Sequence, residues 1–590
     1  MCGVFGYIGR RKNASEIVFN GIKSLEYRGY DSWGEAVLEG EKKVKKLLIF
    51  KNIGKIAGHA PKGKSCLALG HTRWATHGGV TIQNSHPHTD CLRRFALVHN
   101  GIIENFDKIK IELIKNGHQF LSETDTEVAA HLIEENLKKN KNFWKAFLKS
   151  FTRLEGLNAI VVLDSQTEKI YAAKNGSPLV IGLGQKENFV SSDVTGLLPY
   201  TKKVVFLEDN QGAILDKEKI IFYDLKKEKI INPKIFTIFW KQTSTDAKKF
   251  KHFMIKEIFE QPQIIKNIIE NSSNQIKKLT ELIRKSYGTY FVGCGTAAHA
   301  CLFAQYLFAK IVHRHTNFSY GSEFGYLVDF LKESSLVIAL SQSGETIDII
   351  ESIDKALQKK AKVAAIVNVL GSTLYRKANF KILLNAGPEK AVASTKSFTA
   401  KLAILILTSY CLKNNLEEGK ENLKKALKET EKILKKLSII KKLAGKIARK
   451  KHLYVVGRGL SYPIALETAL KIKEISYVHA EGFAAGELKH GVIALIEKGT
   501  PCLVFAPNDE TYGAVISGAM ELRARGGFII GIAQENRPEI FDYFIPVKDF
   551  GPATAIPQAV VGQLLSYFLG LELHREIDKP RNLAKSVTVK

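Results

Sequence analysis

Several things are missing from this chain, and each absence narrows what it can be. No uninterrupted apolar run reaches the roughly 20 residues that span a bilayer. The longest, such as KLAILILTSYCL at 401–412, is bordered by lysine and reads as a buried helix. No basic segment precedes the short apolar stretch of MCGVFGYIGRRK, so a secretory signal is not expected. The seven cysteines (Cys2, Cys66, Cys91, Cys294, Cys301, Cys411 and Cys502) are odd in number and contain no C-x-x-C pair. That argues against a disulfide framework and fits a reducing compartment. On this reading no metal and no cofactor are expected, no membrane is involved, and a cytoplasmic location is the default.

Acidic residues are also scarce: 59 Asp and Glu stand against 87 Lys and Arg, a net charge of +28. The excess is not gathered into a recognisable nucleic-acid module. Its densest segment, 420–451, carries Leu423, Leu427, Leu434, Leu437 and Ile447 at helical spacing, which predicts an amphipathic helix with a solvated lysine face. Weak, nonspecific binding to nucleic acid is the most this charge implies.

What remains is an ordinary globular balance, 45% hydrophobic and 25% charged, in 590 residues, which is too long for one core. Residues 1–240 are rich in short β-type runs such as CGVFGYIG, CLALGHT, RFALVHNG and NAIVVLD, with a helical pattern near 124–139. The polar stretch KQTSTDAKKFKH at 241–252 reads as a linker, and Pro262 suggests the start of the next helix. From 250 onward strand and helix alternate, as in parallel sheets with covering helices. The pattern occurs twice: FVGCGTA (291–297) matches VVGRGLS (455–461), and LVIALSQSG (336–344) matches PCLVFAPND (501–509).

Cys2 follows the initiator methionine. Removal of Met1 would leave a thiol and an amine on one residue, and an α-amine with a reference pKa near 7.7–8.0 can act as base for its own thiol. Three motifs accompany it: HTRWATHG (71–78), VHNGIIEN (98–105) and SETDTE (122–127). Arg73 offers a fork for a carboxylate, Asp125 a counter-charge for an ammonium, and Asn100 with Gly101 two N–H groups for an oxyanion. In the second half, SQSGET at 341–346 follows an apolar strand and opens a helix, an arrangement suited to a phosphate. Within PIALETALKIKEISYVHAEGFAAGELKHG (463–491), Glu467, Lys471 and Glu474 fall on one face of an otherwise apolar helix. Such a stripe is either a buried ion pair or the wall of a polar cavity. A carboxylate there suits proton transfer between two carbons, and His490 is close in sequence as a second acid/base group.

MCG, LEYRGYDSWG (25–34), HTRWATHG, VHNGIIEN and SETDTE together closely resemble the glutaminase domain of the N-terminal-nucleophile amidotransferases. SQSGET, GCGTA and VASTKSFT (392–399) resemble sugar isomerase (SIS) lobes, and the ending PRNLAKSVTVK resembles the glutamine–fructose-6-phosphate transaminase (isomerizing) family. The resemblance implies an α+β N-terminal-nucleophile glutaminase sandwich joined to two α/β SIS lobes with parallel sheets. The expected boundaries are 2–240 for the glutaminase, 241–252 for the linker, 253–440 and 441–573 for the lobes, and 574–590 for a catalytic tail. It implies Cys2 as nucleophile, Asn100 and Gly101 as oxyanion hole, Arg73, Thr76, His77 and Asp125 as glutamine binders, and Trp74 where the family gates ammonia. Thr296, Ser341, Gln342, Ser343, Thr346, Val392 and Ser394 would hold the sugar phosphate. Lys585 would form a Schiff base with the open-chain ketose, Glu474 would move the proton, His490 would open the ring and Lys471 would assist. Glutamine and fructose 6-phosphate are the implied partners, and a homodimer the implied assembly. Two positions depart from the pattern: Trp33 and Ala297 stand where a small residue and a serine are expected.

Three other readings are weighed against this one. Phosphoribosyl transfer would need an acidic loop after a strand, and none is found. A sugar-phosphate-binding regulator would need neither Cys2 nor the lysine tail, and a nucleic-acid binder would need a recognition module.

Overall fold

The computed structural model describes residues 2–40, 45–61, 63–238 and 250–587. Most of the expected linker, 241–249, lies outside the described residues. The chain divides into two compact units, Met1–Gln242 with Ala584–Lys590, and Thr243–Leu583.

Among the described residues the first unit contains an eight-stranded and a seven-stranded sheet, and the pairings within them are antiparallel. Val4, Ile8, Leu67 and Leu69 of the first sheet meet Val98, Val161, Leu163 and Ala172 of the second in a buried apolar inner layer. Alternation puts the other residues of the same strands on the outer faces, which helices must cover. Ala14–Ser24 covers the first sheet with Ile17, Val18 and Ile22, against Phe5 and Tyr7. Glu127–Lys139 and Phe143–Phe151 cover the second with Val128, Leu132, Phe143 and Phe147. Glu127 in its first turn and Lys138 and Lys139 in its last complement the helix dipole. The result is helix, sheet, sheet, helix. Trp33 is accommodated as a buried residue, its ring edge-on to Phe19 at 5.5 Å.

The second unit contains two five-stranded parallel sheets of the same order. In the first, Thr289–Gly293 pairs with Asn317–Tyr320 and Leu336–Ser341, followed by Lys362–Val367 and Phe380–Leu383. In the second, His452–Gly457 pairs with His479–Ala484 and Pro501–Ala506, followed by Phe528–Ala533 and Tyr543–Pro546. The repeat read from sequence is therefore a repeat of topology. Gly293 and Gly457 sit at the same point of each: a Cβ on Gly293 would lie 2.7 Å from the carbonyl carbon of Ala297, and one on Gly457 2.3 Å from the Ser461 oxygen. Only glycine lets each strand end lie this close to the first turn of the next helix.

One core joins the two sheets. Phe253–Asn271, Lys396–Leu412, Ser461–Ser476 and Ala555–Glu572 contribute to it together, so 440 marks no break in packing. Three sequence expectations change here. The segment 420–451 forms two helices, Leu416–Lys435 and Leu437–Ile447, because the backbone leaves helical geometry at Lys436. The second helix thereby brings Ile440, Leu443 and Ile447 into the core. Pro262 lies inside Phe253–Asn271 rather than at its start. Its lost N–H and ring clash cost about 3 kcal/mol, offset by the buried face of Ile258, Ile265 and Ile268 and by a Gln261–Gln563 hydrogen bond of 2.6 Å. Gly551–Glu572 is by length and composition apolar enough to cross a membrane, although Gln558 and Gln563 interrupt its apolar run, and it is almost wholly buried inside the protein.

Leu564, fully buried in this core, should be sensitive to truncation. Leu564→Ala is expected to destabilise by about 2–5 kcal/mol, read as a lower urea midpoint with unchanged slope; a loss under about 0.5 kcal/mol would contradict the core assignment.

Candidate functional site

The first unit's candidate site forms at one end of its inner strands. Gly3 pairs with Thr72, which brings Cys2 beside the end of Leu67–Arg73. The Trp74 N–H donates to Cys2 Sγ at 3.3 Å, and the thiol donates to Trp74 O at 3.6 Å. The Cys2 carbonyl accepts from Asn100 Nδ2 and from Arg28 Nε, each at 3.1 Å. Burial pushes the Cys2 thiol up from its ordinary value, against the pull of the amino-terminal charge, the Trp74 N–H, Arg73 and Arg28. The thiol thus rests protonated and needs a base to react.

His71 fixes which way the Asn100 amide points. Its Nε2 faces two acceptors, His99 O at 3.0 Å and Asn100 Oδ1 at 3.1 Å, so Nε2 carries the proton. Asn100 must then turn its NH2 toward Cys2. Burial lowers His71 to about 3 and keeps it neutral, and His86, stacked on it at 4.1 Å, is lowered for the same reason. Gly101 has φ +139°, and a Cβ there would lie 1.9 Å from Leu157 O, so only glycine leaves its backbone in this position. Arg73 is buried and its Nη atoms hold the carbonyls of His77, Gly78 and Gly79, the latter two at 3.1 Å. The fork therefore shapes the loop that carries exposed Thr76 and half-buried His77, whose ring meets Phe106 at 5.4 Å. Asp125 accepts from the Ile103 N–H at 2.8 Å. Trp74 packs edge-on to Tyr30 at 5.6 Å.

In the second unit, strands Thr289–Gly293 and Leu336–Ser341 run parallel as neighbours, so Thr296 and the loop 341–346 lie at the same sheet edge. Ser341 Oγ accepts from the Gly344 N–H at 3.0 Å and bonds Thr346 Oγ1 at 3.1 Å. Ser343 Oγ accepts from the Glu345 N–H at 3.2 Å, and Gln342 and Thr346 are half-buried just before helix Ile347–Gln358.

The stripe on Ser461–Ser476 forms as expected, and as an ion-pair network. Lys471 is 1% exposed; its Nζ bonds Glu474 Oε2 and lies 3.5 Å from Glu467 Oε1. Burial alone would lower Lys471, but Glu467, Glu474 and Glu389 outweigh it and hold the ammonium charged. Thr296 Oγ1 donates to Glu467 Oε1 at 3.1 Å, and His299 Nδ1 pairs with Oε2 at 2.8 Å. Glu389 accepts from Ser394 Oγ at 3.2 Å and Ser397 Oγ at 2.9 Å, and the Val392 N–H donates to Asp578 O at 2.9 Å. Thr296, Ser394, Lys471 and Glu474 are thus drawn into one neighbourhood. His490 is exposed at the end of Ala485–His490, and Lys585 is half-buried in a terminal segment that belongs to the first unit. Sequence reasoning missed His71, Arg28, His299, Glu389 and Ser397 as site residues. His71, Arg28 and Ser397 lie inside quoted motifs, and His299 follows Thr296 by three residues, so position relative to a motif was the available signal.

Comparison with known proteins agrees with both halves. A model of the glutamine amidotransferase domain matches residues 71–199, and one of the SIS domain matches 282–408 and 446–543. The glutamine–fructose-6-phosphate aminotransferase (isomerizing) of Pyrococcus horikoshii is 42% identical, and that of Thermococcus kodakarensis 40%, each over 100% of both chains. The chain belongs to the glutamine–fructose-6-phosphate aminotransferase (isomerizing) family. A solved C-terminal domain of a glucosamine-fructose-6-phosphate aminotransferase from Francisella tularensis matches at 32% identity and TM-score 0.52, over 57% of this chain and 100% of that one. Tagatose-6-phosphate ketose/aldose isomerase from Escherichia coli, at 19% identity and TM-score 0.51 over 58% of this chain and 99% of its own, shares the fold. The two matched domains thus fall in different units, 71–199 in the first and 282–543 in the second.

The neutral histidines make a pH prediction. Folded His71 takes a proton only near pH 3, whereas unfolded histidine does so near 6.5, so the unfolded state binds more protons between these values and stability falls as pH drops through that window. His71→Gln should flatten the dependence of melting temperature on pH between about 6.5 and 3; an unchanged slope would contradict the assignment.

Proposed function

We propose that this chain transfers the amide nitrogen of glutamine to fructose 6-phosphate with isomerisation, giving glucosamine 6-phosphate and glutamate. The observation that carries the reading is the Cys2 thiol against the Trp74 N–H with the Asn100 NH2 held toward the same residue.

Once Met1 is removed, the Cys2 amine takes the thiol proton and the thiolate attacks the glutamine amide carbon. Asn100 Nδ2 and the Gly101 N–H stabilise the oxyanion, a contribution of about 3–4 kcal/mol for a well-placed donor. Ammonia leaves, and water releases glutamate from the thioester. Arg73, Thr76, His77 and Asp125 bind the amino acid, and Trp74 gates ammonia. In the SIS half, Thr296, Ser341, Gln342, Ser343, Thr346, Val392 and Ser394 hold the sugar phosphate. His490 opens the ring, Lys585 condenses with the C2 carbonyl and ammonia displaces it. Glu474 then moves a proton from C1 to C2 while Lys471 keeps its charge beside it. The water released by imine formation balances that consumed by thioester hydrolysis. No cofactor is required.

The domain boundaries follow this division, with 2–240 as glutaminase, 253–440 and 441–573 as lobes, and the terminal tail carrying Lys585. The proposed form is a cytoplasmic homodimer sharing sugar sites.

Separate loss of the two half-reactions tests the proposal. Cys2→Ala should abolish release of glutamate. Glu474→Gln should lower amino-sugar formation by about 10²–10⁴ and leave glutamine hydrolysis within about twofold. Undiminished product from Cys2→Ala would overturn the nucleophile; loss of both activities in a folded Glu474→Gln would overturn the division of labour.

A further inference from the structure

Four metal-ligating side chains meet in the first unit, away from Cys2's own contacts. Cys91 follows the short strand His88–Thr89, His118 follows helix Phe106–Lys115, and His131 and Glu134 share one face of helix Glu127–Lys139. Their ligand atoms all lie within 4.8 Å of one another. No two of them have C-x-x-C or H-x3–5-H spacing.

Four of the six edges of this cluster are set by close contacts. Cys91 Sγ is 3.7 Å from His118 Nδ1 and 3.6 Å from His131 Nδ1, while Glu134 Oε2 is 3.1 Å and 3.2 Å from the same two nitrogens. A tetrahedral Zn2+ with bonds of about 2.3 Å to sulfur and about 2.0–2.1 Å to nitrogen and oxygen sets S···N edges near 3.5 Å and N···O edges near 3.3 Å. The four edges fall within about 0.2 Å of these values, and the remaining two, S···O and N···N, lie within 4.8 Å.

The surroundings supply a second, independent observation. A metal-bound imidazole characteristically presents its other nitrogen to a carboxylate, which fixes the tautomer and raises ligand basicity. His118 Nε2 faces Glu135 Oε2 at 3.2 Å, and His131 Nε2 faces Glu127 Oε1 at 3.6 Å. Both rings are buried, their side chains 1% and 2% exposed. Glu134 Oε2 also accepts from the Cys91 N–H at 3.1 Å, tying the two anionic ligands together.

We propose that Cys91, His118, His131 and Glu134 form a structural Zn2+ site that fastens the 118–127 segment to the Cys91 turn. One thiolate, two imidazoles and one carboxylate suit Zn2+, whereas Mg2+ and Ca2+ favour all-oxygen sets. Binding releases the Cys91 thiol proton to solvent, and the loaded site is electrically neutral. The site supports the glutamine-binding loop: Glu127, behind His131, also accepts from the Leu121 N–H at 2.8 Å and from the Ser122 N–H and Oγ at 2.7 Å, just ahead of Asp125.

The test uses the full-length protein, purified without a histidine tag, stripped with a chelator and titrated with Zn2+ and then Co2+. The expected result is one metal per chain, a rise in melting temperature with Zn2+, and a sulfur-to-Co2+ charge-transfer band with intense tetrahedral d–d bands. Cys91→Ser, at an exposed turn position, should lose the charge-transfer band. Glu135→Gln leaves all four ligands in place and should weaken binding by about 10–100-fold. Absence of stoichiometric binding at micromolar metal would overturn the proposal. So would Co2+ spectra and affinities that neither substitution alters.

Discussion

An ammonium buried to 1% exposure must be neutralised where it lies, and the second unit is arranged around that requirement at Lys471. Removing one partner from a buried pair typically costs 3–5 kcal/mol, because the other charge remains. Glu467 and Glu474 meet Lys471 from its own helix, and Glu389 adds its field from another segment. The carboxylates bring their own obligations. Glu467 draws in Thr296 and His299 from the first lobe, and Glu389 draws in Ser394 and Ser397. Satisfying one charge thereby draws groups from both lobes into one polar neighbourhood.

The two lobes share a topology and carry different polar groups on it. In both, a strand runs close under a glycine into a helix. The first lobe follows its next strand with the hydroxyl-rich loop 341–346, whose donors stand at a helix start and suit an anion. The corresponding place in the second lobe reads PND, and that lobe instead contributes the charged stripe on Ser461–Ser476. The repeated topology thus supplies two frames, one carrying a hydroxyl-rich loop and the other a buried charged stripe. The first unit meets its need for a precisely aimed amide differently, with a neutral histidine. His71 spends its single proton on the Asn100 side, which leaves the amide NH2 for Cys2.

Local signals in the sequence carried far. Alternation in the first 240 residues and its change to strand–helix repeats gave the sandwich and the two parallel sheets, because burial period is a local property. The face of Glu467, Lys471 and Glu474 was legible for the same reason. Their partners were not: His299 pairs with Glu467 across 168 residues, and no periodicity reports such a meeting. The tautomer of His71 and the direction of the Asn100 amide likewise exist only once two strands are paired. Pro262 and the break at Lys436 were misread because tertiary packing outweighed a local preference. The Cys91–His131 cluster shows the limit most clearly, since its four members come from three elements with no characteristic spacing.

The proposed reaction moves nitrogen from an amide to a ketose phosphate on one chain. Supplying amide-15N glutamine and fructose 6-phosphate to the purified protein, and reading the product by NMR and mass spectrometry, addresses it directly. The account predicts glucosamine 6-phosphate bearing the 15N label, formed in step with glutamate. Glutamate without amino sugar, or an amino sugar without label, would contradict it.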